Sequence, residues 1–313
     1  MWLLFLACLL CTALIVTDCQ TLSNERPIIG VVTEELNYTN VKDAKSMIVA
    51  NYVQFLEAGG ARVIPIWIYK PREYYEDIIS KINGVLFPGG GVPLSGNGYG
   101  QTGQIIYDIA TKMNDKGDYF PMWGTCLGFE LLNFVVAKKD FMKRCDAQDL
   151  STSIEFSNGY KNSKMFSDLD ENLNRSMQKQ KVAIHYHRWC LTSKNYTLSG
   201  LNKYFKVLAV NKDKENTTFV SIIEAFKYPF YGVSFHPEKV LFEWVLSKTH
   251  QNIPHNLDAI RTSQYFANFF VNEARKSHHH FPNKKAEDEV LIYNYNPVFT
   301  GKYNANTQTY FFQ

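Results

Sequence analysis

Strand-like and helical segments alternate through the first half of the chain, and this alternation limits the possible folds more than any other feature. Short apolar runs rich in β-branched residues predict buried strands at Ile28–Thr33, Ala61–Trp67, Gly84–Phe87 and Phe120–Trp123. Helical spacing of apolar residues predicts helices at Ala44–Ala58, Tyr74–Ile82, Gln104–Lys116 and Leu127–Val136. This order predicts an α/β fold with a doubly wound, mostly parallel sheet flanked by helices. Such sheets carry their sites at the carboxyl ends of the strands.

The second half of the chain reads differently. Strand-like runs with short polar breaks predict an antiparallel or mixed extension of the same sheet at Lys181–His187, Lys206–Asn211, Phe219–Phe226 and Phe230–Phe235. An amphipathic helix is predicted at Asp258–Arg275, and residues 276–313 are polar with scattered aromatics. We interpret this tail as an extended C-terminal arm packed on the body. No segment resembles an interdomain linker, so residues 20–313 are predicted to form a single domain.

The N-terminus indicates a compartment. The apolar run Trp2–Val16 has 15 residues, fewer than the ~20 that a membrane helix needs. It fits the apolar region of a cleaved signal peptide spanning residues 1–19, although an uncleaved anchor or a buried strand are the alternatives. No later apolar run is long enough to span a bilayer, so we expect a secreted mature chain without a membrane span.

The charge balance argues against nucleic-acid binding, and the glycosylation triplets agree with secretion. The chain has 33 basic and 30 acidic residues, a balance too mild for a dedicated nucleic-acid-binding protein. Glycosylation acceptor triplets begin at Asn37, Asn174, Asn195 and Asn216. Four such triplets behind a signal sequence support glycosylated surface loops.

The number of cysteines in the expected mature chain indicates that one thiol is unpaired or bonded to another chain. Three of the six cysteines lie in the predicted signal peptide, which leaves Cys126, Cys145 and Cys190. An odd number means that at least one is unpaired unless it bonds to another chain, and such a cysteine is either a reactive thiol or a buried, inert one. Cys145 and Cys190 lack any catalytic context and are interpreted as structural.

Cys126 has a catalytic context in Gly124-Thr125-Cys126-Leu127-Gly128, directly between a predicted strand and a helix. This is a nucleophile-elbow pattern with cysteine as nucleophile, although a turn containing a buried cysteine is the alternative. The following helix start is expected to favour the thiolate.

Two further segments end predicted strands. In Phe235-His236-Pro237-Glu238, an extended chain would place His236 and Glu238 on one face, as a base with its orienting carboxylate, or as a plain surface pair. In Pro88-Gly89-Gly90-Gly91, backbone N–H groups of Gly90 and Gly91 are candidates for an oxyanion hole with Leu127. A simple turn is the alternative, and the sequence lacks the Gly-Lys-Ser/Thr of a phosphate-binding loop.

Together these segments resemble the class I glutamine amidotransferase family and, within it, the gamma-glutamyl hydrolases. The resemblance runs from about Arg26 to Arg275 and rests on RPIIGVVTEE at 26–35, VLFPGGG at 85–91, PMWGTCLGFELL at 121–132, HYHRW at 185–189 and GVSFHPEK at 232–239. It implies Cys126 as nucleophile, His236 as general base and acid, and Glu238 as third member. Glu130 stands where the amidotransferases usually carry glutamine, which suits a hydrolase.

The resemblance also implies a substrate, an oligomeric state and a cellular location. The substrate would be pteroylpoly-γ-glutamate, cleaved through a thioester without a cofactor or metal, by a homodimer that is secreted or lysosomal. His187 would contact the substrate, or else be a structural histidine like His185. An ammonia-delivering amidotransferase and a catalytically silent binding protein are the other hypotheses.

Overall fold

The computed structural model describes residues 23–36 and 43–313. The predicted signal peptide and the Asn37 sequon lie outside these residues. The strands are β1 Ile28–Val32, β2 Glu34–Glu35, β3 Ser46–Val49, β4 Arg62–Ile66, β5 Gly84–Phe87, β6 Met122–Thr125, β7 Lys143–Thr152, β8 Glu155–Phe156, β9 Ala183–Cys190, β10 Phe205–Lys212, β11 Thr218–Ala225, β12 Phe230–Val233, β13 Val298–Phe299 and β14 Gln308–Phe312. The α-helices are α1 Ala50–Ala58, α2 Arg72–Ile79, α3 Tyr99–Asp115, α4 Leu127–Ala137, α5 Glu171–Lys179, α6 Ser193–Leu198, α7 Pro237–Phe242, α8 Leu257–Ala274 and α9 Lys284–Asp288.

The main sheet has eight strands in the order β4-β1-β5-β6-β12-β11-β10-β8. The first five are parallel and the last three join antiparallel. This confirms the predicted fold class. The parallel strands are apolar on both faces because helices cover both sides. Ile29 and Trp123 pack on the α1 and α8 side, while Ile28 and Met122 pack on the α2 to α4 side.

Two of the element boundaries that differ from the sequence expectation bear directly on the site. The predicted helix at Ala44–Ala58 begins as strand β3, and only Ala50–Ala58 is helical. Pairing with the distant strand β14 overrides the local helical pattern there. The fourth predicted strand is displaced toward the C-terminus and ends at Thr125, so that the residue after it is Cys126.

Residues after α8 wrap back onto the body. Strand β14 pairs antiparallel with β3, with Tyr310 opposite Ile48, and β2 pairs with the other edge of β3. The expectation that Lys181–His187 extends the main sheet is wrong, because this segment forms β9 and pairs instead with β7, which the sequence pattern did not predict, in a separate two-stranded sheet. No helix within the described ranges is both long and apolar enough to cross a membrane.

Candidate active site

Cys126 stands at a sharp turn between β6 and α4. Its φ of 52° is positive, a region that side-chain-bearing residues rarely adopt outside functional turns. The turn is held from both sides, because the N–H of Cys126 donates to the Val233 carbonyl at 2.9 Å and its own carbonyl accepts from the Glu130 N–H at 3.0 Å. The thiol is therefore fixed at the carboxyl edge of the parallel sheet.

The glycines on either side of this turn are required by close backbone approach. A methyl group on Gly124 would lie 2.3 Å from the Gly128 carbonyl oxygen, and one on Gly128 would lie 2.1 Å from the Phe87 carbonyl oxygen. Neither overlap can be relieved by moving a side chain, because the opposing atoms are backbone. The strand, the turn and the helix can pack this tightly only with glycine at both positions.

His236 and Glu238 form the hydrogen-bonded pair that their spacing suggested, by a different geometry. Strand β12 ends at Val233, so the pair does not share a face of an extended strand. His236 instead precedes the short helix α7, and Glu238 is its second residue. The Nδ1 atom of His236 lies 2.7 Å from Oε1 of Glu238, while Nε2 has no hydrogen-bond partner among the described residues.

Gly89 separates the histidine from the cysteine. A methyl group on Gly89 would lie 2.8 Å from Cε1 of His236 and 2.9 Å from Cβ of Cys126. The Gly89 N–H donates to the hydroxyl of Tyr52 at 2.8 Å, and that hydroxyl lies 3.4 Å from Nδ1 of His236. Tyr52 lies within the helix expected at Ala44–Ala58, and nothing in the local sequence pattern indicated that α1 would place it at the site.

The predicted oxyanion donors surround the same thiol. Gly90, Gly91 and Leu127 line cavities with Cys126, and the Leu127 N–H lowers the pKa of the thiol by hydrogen bonding to it. The buried carboxyl group of Glu34 occupies the space that a side chain on Gly90 would take, 1.9 Å from a methyl group built there. A side chain at position 90 would therefore collide with the Glu34 carboxyl group.

The sequence-based expectation of a lowered thiol pKa is wrong for the free protein. Burial raises the pKa of Cys126 well above its usual range, and the negative charges of Glu130 and Glu238 raise it further. The hydrogen bond from Leu127 only partly opposes them. Burial also raises the pKa of Glu130, to about 8, so that Glu130 carries its negative charge mainly above neutral pH. Formation of the thiolate therefore needs a base, and His236, whose Nε2 has no hydrogen-bond partner among the described residues, lines a cavity with Cys126.

Two cavities meet at Cys126. The larger, of about 480 Å³, is lined by Cys126, Leu127, Glu130, His187, Arg188 and Trp189 among others. The smaller, of about 240 Å³, contains Cys126 with Tyr52, His236, Lys239, Ala305 and Asn306. Gly90, Gly91 and Tyr186 belong to both. Cys126 thus lies where a bound chain could extend to either side.

His187 lies in the wall of the larger cavity, but its ring nitrogens are engaged within the protein. Nδ1 is 3.0 Å from the Trp189 carbonyl oxygen, and Nε2 is 3.1 Å from Nδ1 of His185. Nε2 of His185 in turn lies 3.2 Å from the Thr152 hydroxyl. Burial lowers the pKa of His187 to about 4. This favours a neutral structural histidine, so substrate contact by His187 remains a prediction.

A disulfide joins the two remaining cysteines. Cys145 on β7 and Cys190 on β9 are bonded to each other, and Cys126 is the free cysteine among the described residues. Nδ1 of His187 lies 3.5 Å from the sulfur of Cys190 and 3.9 Å from that of Cys145. The three atoms could otherwise suggest a metal site, but the two sulfurs are bound to each other.

The three described sequons differ in exposure. Asn174 and Asn195 are 5% and 9% exposed. Their amide nitrogens donate to Glu171 and to the Phe141 carbonyl, respectively. Asn216 is exposed in the turn between β10 and β11. A glycan is attached to an amide nitrogen that reaches solvent. The fold therefore favours glycosylation at Asn216 and disfavours it at Asn174 and Asn195.

Comparison with known proteins gives consistent matches. The family model of peptidase C26 matches residues 27–238. Gamma-glutamyl hydrolase of Rattus norvegicus is 40% identical over 290 residues, covering 92% of this chain and 90% of the relative. The mouse (Mus musculus) enzyme is 41% identical with the same coverage, and gamma-glutamyl hydrolase B of Dictyostelium discoideum is 36% identical over 92% of this chain and 84% of its own.

Among solved structures, a glutamine amidotransferase from Thermotoga maritima aligns over 68% of this chain and 76% of its own, with 11% identity and a TM-score of 0.36. That resemblance is too low to bear on function. The sequence matches are long enough to decide the family. The chain belongs to the gamma-glutamyl hydrolases of the peptidase C26 family and is a hydrolase with a cysteine nucleophile.

Proposed function

We propose that this protein hydrolyses the γ-glutamyl amide bonds of pteroylpoly-γ-glutamates and of related antifolate polyglutamates. The observation that carries the proposal is the shared cavity of Cys126 and His236, with His236 held by Glu238. The names of the relatives support the bond type. The substrate is a chain, and cavities open on both sides of the nucleophile to receive one.

In the first half of the reaction, the sulfur of Cys126 attacks the γ-carbonyl carbon while Nε2 of His236 takes the thiol proton. A C–S bond forms and the carbonyl π bond opens onto oxygen. The N–H groups of Gly90, Gly91 and Leu127 are the candidates to stabilise this negative charge. Collapse breaks the C–N bond, and His236 returns its proton to the leaving nitrogen.

In the second half, water replaces the departed amine. His236 takes a proton from the water, whose oxygen attacks the thioester carbonyl. Collapse of this intermediate breaks the C–S bond, and the sulfur of Cys126 recovers the proton from His236. The products are a free γ-carboxyl group and an amine, and the mechanism uses no metal or organic cofactor.

An ammonia-delivering amidotransferase and a silent binding protein are the competing functions. The first would require a synthetase partner to use the ammonia. The second is disfavoured because the free thiol and the imidazole line one cavity and the carboxylate of Glu238 is hydrogen-bonded to that imidazole. Glu130 beside Cys126 adds a carboxyl group where those amidotransferases usually carry a neutral amide.

The decisive experiment is mass spectrometry of the products from a synthetic pteroyl-γ-pentaglutamate. We expect shorter pteroyl-γ-glutamates together with free glutamate or γ-glutamyl peptides. Pretreatment with iodoacetamide should abolish turnover if Cys126 is the nucleophile. Unchanged substrate, or ammonia released from free glutamine instead, would contradict the proposal.

The setting of the enzyme is part of the same proposal. We infer that the protein enters the secretory pathway, reaches the lysosome or the extracellular space, carries a glycan at Asn216 and forms a homodimer. The N-terminal sequence pattern supports entry into the secretory pathway, and the exposure of Asn216 supports a glycan at this residue. The final location in the lysosome or extracellular space and the homodimer rest on the family resemblance. Fractionation of epitope-tagged protein and sedimentation analysis test them.

A further inference from the structure

A buried lysine shares the smaller cavity with the catalytic pair. Lys239 follows Glu238 directly on α7 and is 6% exposed. Its side chain lines the 240 Å³ cavity together with Cys126 and His236. Removing an ammonium group from water is costly unless the protein or a ligand supplies compensating partners.

The protein supplies few of those partners. Nζ of Lys239 donates to Oδ1 of Asn306 at 2.9 Å and lies 5.8 Å from the centre of the Tyr186 ring. Lys239 takes part in none of the ion pairs formed by residues 23–36 and 43–313. An ammonium group has three N–H donors, so most of its hydrogen-bonding capacity is available to a ligand.

The nearby carboxylates of Glu34, Glu238 and Glu243 form no ion pair with Lys239. Glu238 accepts from His236 at 2.7 Å. Glu243, which is fully buried at the end of α7, accepts from the backbone N–H of Thr307 at 3.0 Å and from Asn51 at 3.1 Å. The cavity therefore presents an ammonium group whose positive charge is not neutralised by a direct ion pair.

The C-terminal arm fixes the partner of this lysine. Asn306 lies between β13 and β14, and its carbonyl accepts from the Thr300 hydroxyl at 2.7 Å. The next residue, Thr307, is bound to Glu243, and β14 is paired with β3. With Oδ1 of Asn306 accepting from Lys239, the amide nitrogen of Asn306 remains as a second donor beside the ammonium group.

We propose that Lys239 and Asn306 form a carboxylate-binding subsite, and that it holds the α-carboxylate of the glutamate on the leaving side of the scissile bond. The proposal rests on the γ-glutamyl hydrolase function proposed above. In a γ-linked chain, that carboxylate is attached to the carbon bearing the leaving nitrogen. His236 must protonate this nitrogen, so the leaving residue has to lie on the His236 side of Cys126.

Lys239 lies on the His236 side of Cys126, where the leaving glutamate is expected. Lys239 and Asn306 line the cavity that contains His236, whereas Leu127 and Glu130 line the other one. A carboxylate there would accept one charge-assisted hydrogen bond from Nζ and one hydrogen bond from the Asn306 amide. Such pairing is the usual compensation for a buried cation facing a polyanionic ligand.

The test compares two substrates that differ in one group. The first is pteroyl-γ-glutamyl-γ-glutamate, and the second carries a carboxamide in place of the α-carboxylate of the terminal glutamate. We expect wild-type kcat/KM to favour the carboxylate by about 10- to 100-fold, as expected for one charge-assisted hydrogen bond. Lys239→Met should abolish this preference by lowering kcat/KM for the carboxylate substrate, and Lys239→Arg should restore part of it.

A second variant covers the case in which Lys239→Met fails to fold. Asn306→Asp places a carboxylate against Nζ, and it should remove the preference by neutralising the ammonium group and repelling the substrate. A carboxylate preference that is unchanged in a folded variant at either position would overturn the subsite. If the wild type cleaves neither compound, the proposed function fails, and the subsite that rests on it fails with it.

Discussion

The imidazole of His236 and the carboxylate of Glu238 are two residues apart and joined by a hydrogen bond of 2.7 Å. They are 5% and 1% exposed, respectively. Because Nδ1 is engaged by the carboxylate, Nε2 is the ring nitrogen left without a hydrogen-bond partner among the described residues. Glu238 thereby sets both the orientation and the tautomer of the base.

This relationship predicts unequal costs for the two substitutions. His236→Asn removes the proton carrier and should lower kcat by about 10²–10⁴-fold, the usual contribution of general acid–base catalysis. Glu238→Gln keeps an acceptor oxygen at the same place, so its loss should be much smaller. Steady-state kinetics of both variants provide the measurement. Full activity of His236→Asn would exclude this histidine as the base.

Replacement of Cys126 by alanine should abolish turnover and leave the fold intact. The substitution removes the atom that forms the thioester, whereas it deletes only one small side chain from the turn. Circular dichroism should show an unchanged thermal transition, and product analysis should show no cleavage. Near-normal hydrolysis by this variant would place the nucleophile elsewhere.

The pH dependence of thiol alkylation should reveal the effect of the surrounding charges. Since burial and the negative charges of Glu130 and Glu238 raise the pKa of Cys126, iodoacetamide should react slowly at acidic pH and faster as the pH rises through the alkaline range. Glu130→Gln removes one of these charges, so alkylation at about pH 9 should become roughly two- to fivefold faster.

Peptide mapping of Cys126 gives the rate at each pH. The matched control is Glu289→Gln, because Glu289 is a surface carboxylate paired with Lys285 in the tail and should leave the profile unchanged. Alkylation that is already fast at mildly acidic pH would show that a thiolate–imidazolium pair forms in the free enzyme, against the effect of burial.

Loss of the Cys145–Cys190 disulfide should cost stability more than activity. The bond closes a loop of 45 residues in sequence separation, and such a cross-link contributes about 2–4 kcal/mol. The double variant Cys145→Ala/Cys190→Ala should therefore melt about 5–10 °C lower and keep most of its activity well below that transition. Calorimetry measures the shift, with Cys126→Ala as the cysteine control. An unchanged melting temperature would contradict a stabilising role.

Glycan occupancy should follow exposure rather than the number of sequons. In protein from a eukaryotic secretory host, Asn216→Gln should remove one glycan, seen as a mobility shift equal to that caused by enzymatic deglycosylation of this site. Asn174→Gln and Asn195→Gln should leave the mass of the secreted protein unchanged apart from the substitution. Occupied Asn174 in the folded protein would contradict its burial against Glu171 and Tyr160.

The sequence by itself determined the parts of this protein that depend on local order. Alternating apolar runs and helical spacing predict the parallel sheet, and the Gly124–Gly128 turn and the His236–Glu238 spacing point to the nucleophile and its base. These features are readable because each needs only neighbouring residues: a strand followed by a tight turn, or two side chains a few bonds apart.

Only the tertiary structure decided which distant residues complete the site. Tyr52, Lys239 and Asn306 reach one cavity because α1, α7 and the C-terminal arm pack around Cys126. The strand nature of residues 46–49 likewise depends on pairing with β14. Long-range pairing and burial are set by the whole chain, and the same burial raises the pKa of the thiol where the local helix start alone would lower it.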